Sequence, residues 1–149
     1  MMDKAQLKNA VISQLQKQIQ SLQLQINALT LDAQNDAKSS AGDKHETGLA
    51  MMHLEQEKLA AKLQQQLHVL STAQKIPTDV IHKKVGLGSV VQTNFGVFFI
   101  GVSLQPFVFQ GEKVFCVSPQ APLVQHLTGK QVNAEILFNG LTYKIFQIF

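Results

Sequence analysis

The stretch Ile12-Ser13-Gln14-Leu15-Gln16-Lys17-Gln18-Ile19-Gln20-Ser21-Leu22-Gln23-Leu24-Gln25-Ile26-Asn27-Ala28-Leu29 decides how this chain is read. Ile12, Leu15, Ile19, Leu22, Ile26 and Leu29 follow a three-four spacing that keeps one apolar seam on a helix facing a partner helix. Leu49, Met52, Leu59, Leu63 and Leu70 continue in the same seven-residue frame, with Gln56 and Gln66 at the intervening seam positions. The partner is therefore expected in the same chain, as an antiparallel helical hairpin. Its first helix is expected from about Asp3 to about Lys38, a rod of roughly 50 Å at about 1.5 Å per residue. Small and turn-forming residues, Ser39-Ser40-Ala41-Gly42, end it, and the second helix is expected from at or just after Asp43 to about Gln74. Pro77 closes that run, because it cannot continue a helix and it restricts Ile76. The Lys4, Lys8 and Lys17 side chains near the base read as a solvated face.

After Val85 the composition turns from Gln, Leu and Ala to Val, Phe, Ile and Gly, which favours strands. Two domains are expected, a coiled-coil hairpin over 1-76 with an acidic tip at 42-46, and a sheet domain over 77-149. Val80-Ile81-His82 reads as a weak edge strand. Gly88 to Thr93 and Val97 to Val102 flank a turn at Asn94-Phe95-Gly96. Phe107 to Phe109 and Lys113 to Val117 follow across Gln110-Gly111-Glu112. Pro122 suits the first turn of a short helix, Leu123 to Leu127, and Gly129 suits a left-handed cap beyond it. Asn139-Gly140 is the favoured two-residue hairpin turn between Ala134 to Phe138 and Leu141 to Phe149. The fold class is thus α+β, a compact antiparallel sheet with one short helix joined to a helical hairpin. Its core is expected from Phe98, Phe115, Leu137, Tyr143, Ile145 and Ile148.

The formal charge is +3, and every basic residue is Lys. Residues 1–78 hold eight Lys against seven acids and residues 79–149 hold five against three, so neither half carries the field that drives free nucleic-acid binding. Cys116, in Val114-Phe115-Cys116-Val117, reads as a small buried hydrophobe rather than a reactive thiol. No run reaches the roughly 20 apolar residues of a membrane span, and the expected compartment is the cytoplasm. His53, His68, His82 and His126 form no metal-ligand spacing; His45, between the acids of the tip, reads as a solvated histidine, with a third metal ligand as the alternative. No phosphate loop, nucleophile elbow or CxxC pair is present, and no self-contained active site is expected.

Asp43 and Glu46 stand three residues apart at the start of the second helix, the spacing of a capping box. The same two carboxylates are hard oxygen ligands able to share a Mg²⁺ with another macromolecule's acidic site, and the two roles are compatible.

The order of parts resembles the Gre transcript-cleavage factors of bacteria. Gly42-Asp43-Lys44-His45-Glu46 is similar to that family's tip motif, Gly-Asp-x-x-Glu-Asn-Ala-Glu. Val117-Ser118-Pro119-Gln120-Ala121-Pro122-Leu123 with Leu127-Thr128-Gly129-Lys130 is similar to its Val-Ser-x-x-Ser-Pro-Leu/Ile…Leu-x-Gly-Lys stretch, and Gly88-Ser89-Val90-Val91 is similar to its opening strand. The resemblance implies an FKBP-like C-terminal domain that docks at the rim of the secondary channel of RNA polymerase. Ser118, Pro122, Leu123, Gly129 and Lys130, on the matching segment, become docking candidates. It implies that Asp43 and Glu46 reach the polymerase centre, help hold a shared Mg²⁺ and its water, and assist the polymerase in cutting the 3′ end of backtracked nascent RNA. The protein would then be a monomer and no enzyme by itself. After Glu46 the chain reads Thr47-Gly48-Leu49 where the family has Asn-Ala-Glu, and Ala121 replaces a Ser. Two other outcomes follow: a channel-binding regulator without cleavage, and a coiled-coil dimerisation or adaptor module.

Overall fold

A computed structural model describes residues 2–38 and 43–149, with the side chains of 36–38 and 43–45 outside the described set. The chain divides into two compact units, residues 14–70 and residues 1–13 with 71–149. Helix α1 spans Lys4–Lys38 and α2 spans Asp43–Gln74. Asp3 starts α1, its Oδ1 accepting the backbone N–H groups of Ala5 at 2.9 Å and Gln6 at 3.2 Å, which satisfies two of the orphan donors of the first turn.

In the unit of residues 14–70 the two helices form a hairpin along the expected seam. Leu15, Ile19, Leu22 and Leu59 are buried, while Ile26, Leu29, Leu49, Met52, Leu63 and Leu70 are half-buried. The seam also holds amides. Gln56 donates from Nε2 to Thr30 Oγ1 on the facing helix at 3.2 Å, and its Oε1 meets His53 Nδ1 at 3.2 Å. Gln66 lies in the same frame, but its Oε1 is buried without a hydrogen-bond partner.

The other unit is a six-stranded sheet with strands β1 Val90–Thr93, β2 Gly96–Ile100, β3 Leu104–Phe109, β4 Glu112–Val117, β5 Glu135–Phe138 and β6 Leu141–Ile148, and helix α3 over Pro122–Leu127. The spatial order is β3-β4-β2-β1-β6-β5. Four of the strand pairs are antiparallel, but β2 and β4 run parallel, so the sheet is mixed where an antiparallel one was expected. The cause is that β4 enters between β2 and β3. The chain leaving β2 passes the end of β4, with the Gly101 N–H donating to Val117 O at 2.8 Å, and returns through the edge strand β3. Pro106 suits that edge, where a missing N–H breaks no ladder.

One face of the sheet carries Val91, Phe98, Ile100, Ile136 and Ile145 against Val124 and Leu127 of α3 and Val85. The opposite face carries Val90, Val97, Phe99, Val114 and Cys116, all buried. In the same unit Leu7 and Val11 of α1, Ala73 near the end of α2 and Ile76 just beyond it are buried as well. Val11 is completely buried and Ile12 only half, so the seam of α1 shifts by one residue at its base. Leu137 is 70 % exposed, because strand alternation turns Ile136 inward in its place. Ile145 and Ile148 both reach the core although their spacing is odd. A bulge permits it: Gln92 pairs with Gln147 but Thr93 pairs with Ile145, leaving Phe146 as the extra, exposed residue. Residues 80–82 form no strand; Ile81 is 88 % exposed and His82 is committed elsewhere.

Two stability outcomes follow from these details. Gln66→Leu removes a buried carbonyl with no partner and is expected to stabilise the chain by about 1 kcal/mol, read as a rise in urea midpoint at unchanged slope. Gly96 turns between β1 and β2 at φ +127°, where a Cβ would meet the Lys113 carbonyl at 2.9 Å. Gly96→Ala is expected to cost roughly 2–3 kcal/mol in the same assay.

Candidate functional site

The acidic end of the hairpin is the first candidate. Gly42 lies outside the described residues, as do the side chains of Asp43, Lys44 and His45; the backbone of α2 begins at Asp43. Glu46, one turn on, is exposed, and so is Thr47, while Leu49 belongs to the apolar seam. Among the described residues no three His, Cys, Asp or Glu side chains gather closely enough to hold a metal ion. His53, the nearest described histidine, is committed to Gln56.

The second candidate is the segment around α3. Ser118 makes a local turn, its Oγ accepting the Gln120 N–H at 3.1 Å and donating to Gln120 Oε1 at 2.6 Å, so it does not cap α3. Ala121 occupies the cap position with no side-chain bond. Pro122 opens the helix and is exposed, and Leu123 packs against the core. Gly129, at φ +81°, is the left-handed residue beyond Leu127. Its N–H donates to Val85 O at 2.9 Å, and the Val85 N–H donates to Lys130 O at 2.9 Å, pinning the turn to the segment that precedes β1. Pro122 and Leu123 on α3 and Gly129 and Lys130 just beyond it are thus neighbours along one helix and its cap, with Ser118 in the turn that precedes them. Leu123 and the Gly129 and Lys130 backbones carry the local fold, while the Pro122 ring and the Lys130 side chain face solvent.

Two lysines depart from the expected solvated face. Lys8 donates from Nζ to the carbonyls of Gln74 at 2.7 Å and Ile76 at 2.8 Å, placing a cation on the last turn of α2 where orphan carbonyls and the helix dipole favour it. Lys4 is buried; its Nζ donates to Val80 O at 2.9 Å and lies 3.0 Å from His82 Nδ1, and His82 Nε2 lies 3.1 Å from Leu87 O. The pattern fits a neutral imidazole with its proton on Nε2. Burial lowers the Lys4 pKa, with Asp79 opposing, and burial followed by the Lys4 charge lowers that of His82, with its backbone contacts opposing. A helical lysine and a loop histidine 78 positions apart leave no common sequence signal.

The folded chain binds a proton at His82 less readily than the unfolded chain does. Stability from this contact is present above the ordinary value of 6.5 and is lost as the pH falls through the lower, folded value. His82→Gln, which keeps an acceptor for Lys4, is expected to flatten that acid limb, measured as urea midpoint against pH from 8 to about 5.

No protein-family model and no curated protein matches the sequence. Among solved structures, the chain is similar to the one titled "Structure of the transcription factor Gfh1", with 17% identity, a TM-score of 0.39 and 92% of each chain covered. Among the described residues, no helix is long and apolar enough to cross a membrane.

Proposed function

We propose that this chain is a Gre-like factor that binds RNA polymerase through its secondary channel and stimulates hydrolysis of backtracked RNA by the polymerase. The observation that carries the reading is the agreement between motif and architecture. From Asp43 onward, the segment similar to the family tip opens the second helix of a helical hairpin, and the segment similar to the family's C-terminal stretch forms α3 and its glycine cap on a mixed sheet. In this reading the protein contributes no active site of its own. The hairpin delivers Asp43 and Glu46, which add carboxylate to a Mg²⁺ already held by the polymerase and orient the attacking water. Pro122 and Lys130 are exposed on the docking face, with Leu123 supporting it from beneath.

The replacement of the family Asn-Ala-Glu by Thr47-Gly48-Leu49 favours a second reading, occupancy of the channel without cleavage. The two separate in one experiment on a stalled, backtracked complex of the cognate polymerase. Cleavage stimulation is expected from the wild type and a loss of at least about 100-fold from Asp43→Asn/Glu46→Gln, with binding retained, because an extra metal-bound carboxylate supplies several kcal/mol. Binding with no RNA shortening by the wild type selects the regulator reading. Absence of binding removes both and returns the hairpin to a structural role.

A further inference from the structure

The sheet face opposite α3 contains a polar hollow of about 230 Å³, lined by Met2, Gln92, Val97, Gln110, Glu112, Gln147 and Phe149. Strand register builds it. Gln147 of β6 pairs with Gln92 of β1, and Gln92 pairs with Val97 of β2, so the three stand in line across adjacent strands. Val97 pairs with Val114 of β4, and Glu112 precedes Val114 on the same face. The tight turn Gln110-Gly111, both at positive φ, places Gln110 on the rim beside Glu112. Backbone bonds between Phe149 and Val90, at 2.8 and 3.1 Å, fix the far wall.

The donor set is selective. Among the described residues of the lining, Glu112 is the one ionisable side chain, and the others are three carboxamides and the apolar Met2, Val97 and Phe149. Its Oε1 takes only a long 3.4 Å bond from Gln92 Nε2, and among the described residues no cation forms an ion pair with it. A carboxylate drawn partly out of water gains from a cationic partner. Here the carboxylate faces a hollow with room for roughly seven waters at about 30 Å³ each, the scale of one long side chain. Paired N–H donors on a planar, weakly hydrated cation match the two oxygens of a carboxylate, and an aromatic wall favours a guanidinium over an ammonium.

We propose that this hollow captures an arginine side chain presented by a partner macromolecule. The chain contains no arginine, so the guanidinium comes from outside it. The site shares no residue with the hairpin tip or with α3 and goes beyond the function proposed above.

The test is an amide NMR titration of the full chain with N-acetyl-arginine amide, N-acetyl-lysine amide and N-acetyl-citrulline amide. Saturable shifts at Gln92, Glu112, Gln147 and Phe149 are expected with the arginine probe, at least five-fold weaker affinity with lysine, and none with neutral citrulline. Glu112→Gln is expected to weaken arginine binding at least ten-fold. Gln147→Lys, an exposed substitution, is expected to abolish it by charge repulsion while leaving the remaining spectrum in place. No saturable shift with arginine, equal binding of lysine, or binding unchanged in both variants overturns the proposal. Loss or gain of polymerase binding bears on the hairpin reading and leaves this result untouched.

Discussion

Strand β2 is buried on both faces, and the sheet unit is arranged to satisfy it. Val97, Phe98, Phe99 and Ile100 are at most 5 % exposed, and each such side chain contributes about 1.5–3 kcal/mol on leaving water. Consecutive apolar residues on a strand point to opposite sides, so one covering layer is insufficient. Helix α3 supplies a layer against Phe98 and Ile100. With six residues, α3 cannot also reach the other side. Leu7, Val11, Ala73 and Ile76, from the ends of the two long helices, are buried in the same compact unit. Ile76 lies close to Gly88 and Gly101, where no side chain intervenes.

The same demand explains the polar contacts at the helix bases. Bringing helix ends onto a sheet buries groups that water would otherwise serve, and each needs a partner. Lys8 answers two carbonyls at the end of α2, while Lys4 and His82 answer those of Val80 and Leu87. The arrangement is stable only with an uncharged imidazole, since a proton on His82 Nδ1 would face the Lys4 ammonium. Within the hairpin the two glutamines follow the same rule with unequal success. Gln56 finds Thr30 and His53, whereas the Gln66 carbonyl finds nothing.

Much of this was legible in the sequence because it depends on local periodicity or turn chemistry. The end of α2, the Asn139-Gly140 turn and the short helix between Pro122 and Gly129 follow from breakers and positive-φ residues, which act over a few positions. The parallel β2–β4 pair was not legible, since Phe107 to Phe109 and Lys113 to Val117 read alike whichever neighbour they take. Leu137 was misplaced for a related reason. In Glu135-Ile136-Leu137-Phe138 apolar residues are adjacent, and only the pairing with β6 decides which turns inward. Lys4 and His82, and likewise Gln92, Glu112 and Gln147, converge through strand order or tertiary packing, so spacing along the chain carries no trace of them.

The seam also limits what the hairpin end can do. Leu49 occupies the position where the resembling family has its last tip glutamate, and here it continues the frame of Met52, Gln56 and Leu59. A carboxylate at that seam position would be drawn partly out of water beside Ile26 and Ala33, which line the same groove. Leucine instead extends hydrophobic pairing by another turn toward the bend. The exchange favours a stiffer arm over a third acid. In the function proposed above, the carboxylate offered at the tip would come from Asp43 and Glu46 alone, with the remaining ligands supplied by the partner. Two carboxylates without a third hold Mg²⁺ weakly by themselves. That suits an ion shared with a partner, because the metal then binds only where both sets of ligands meet.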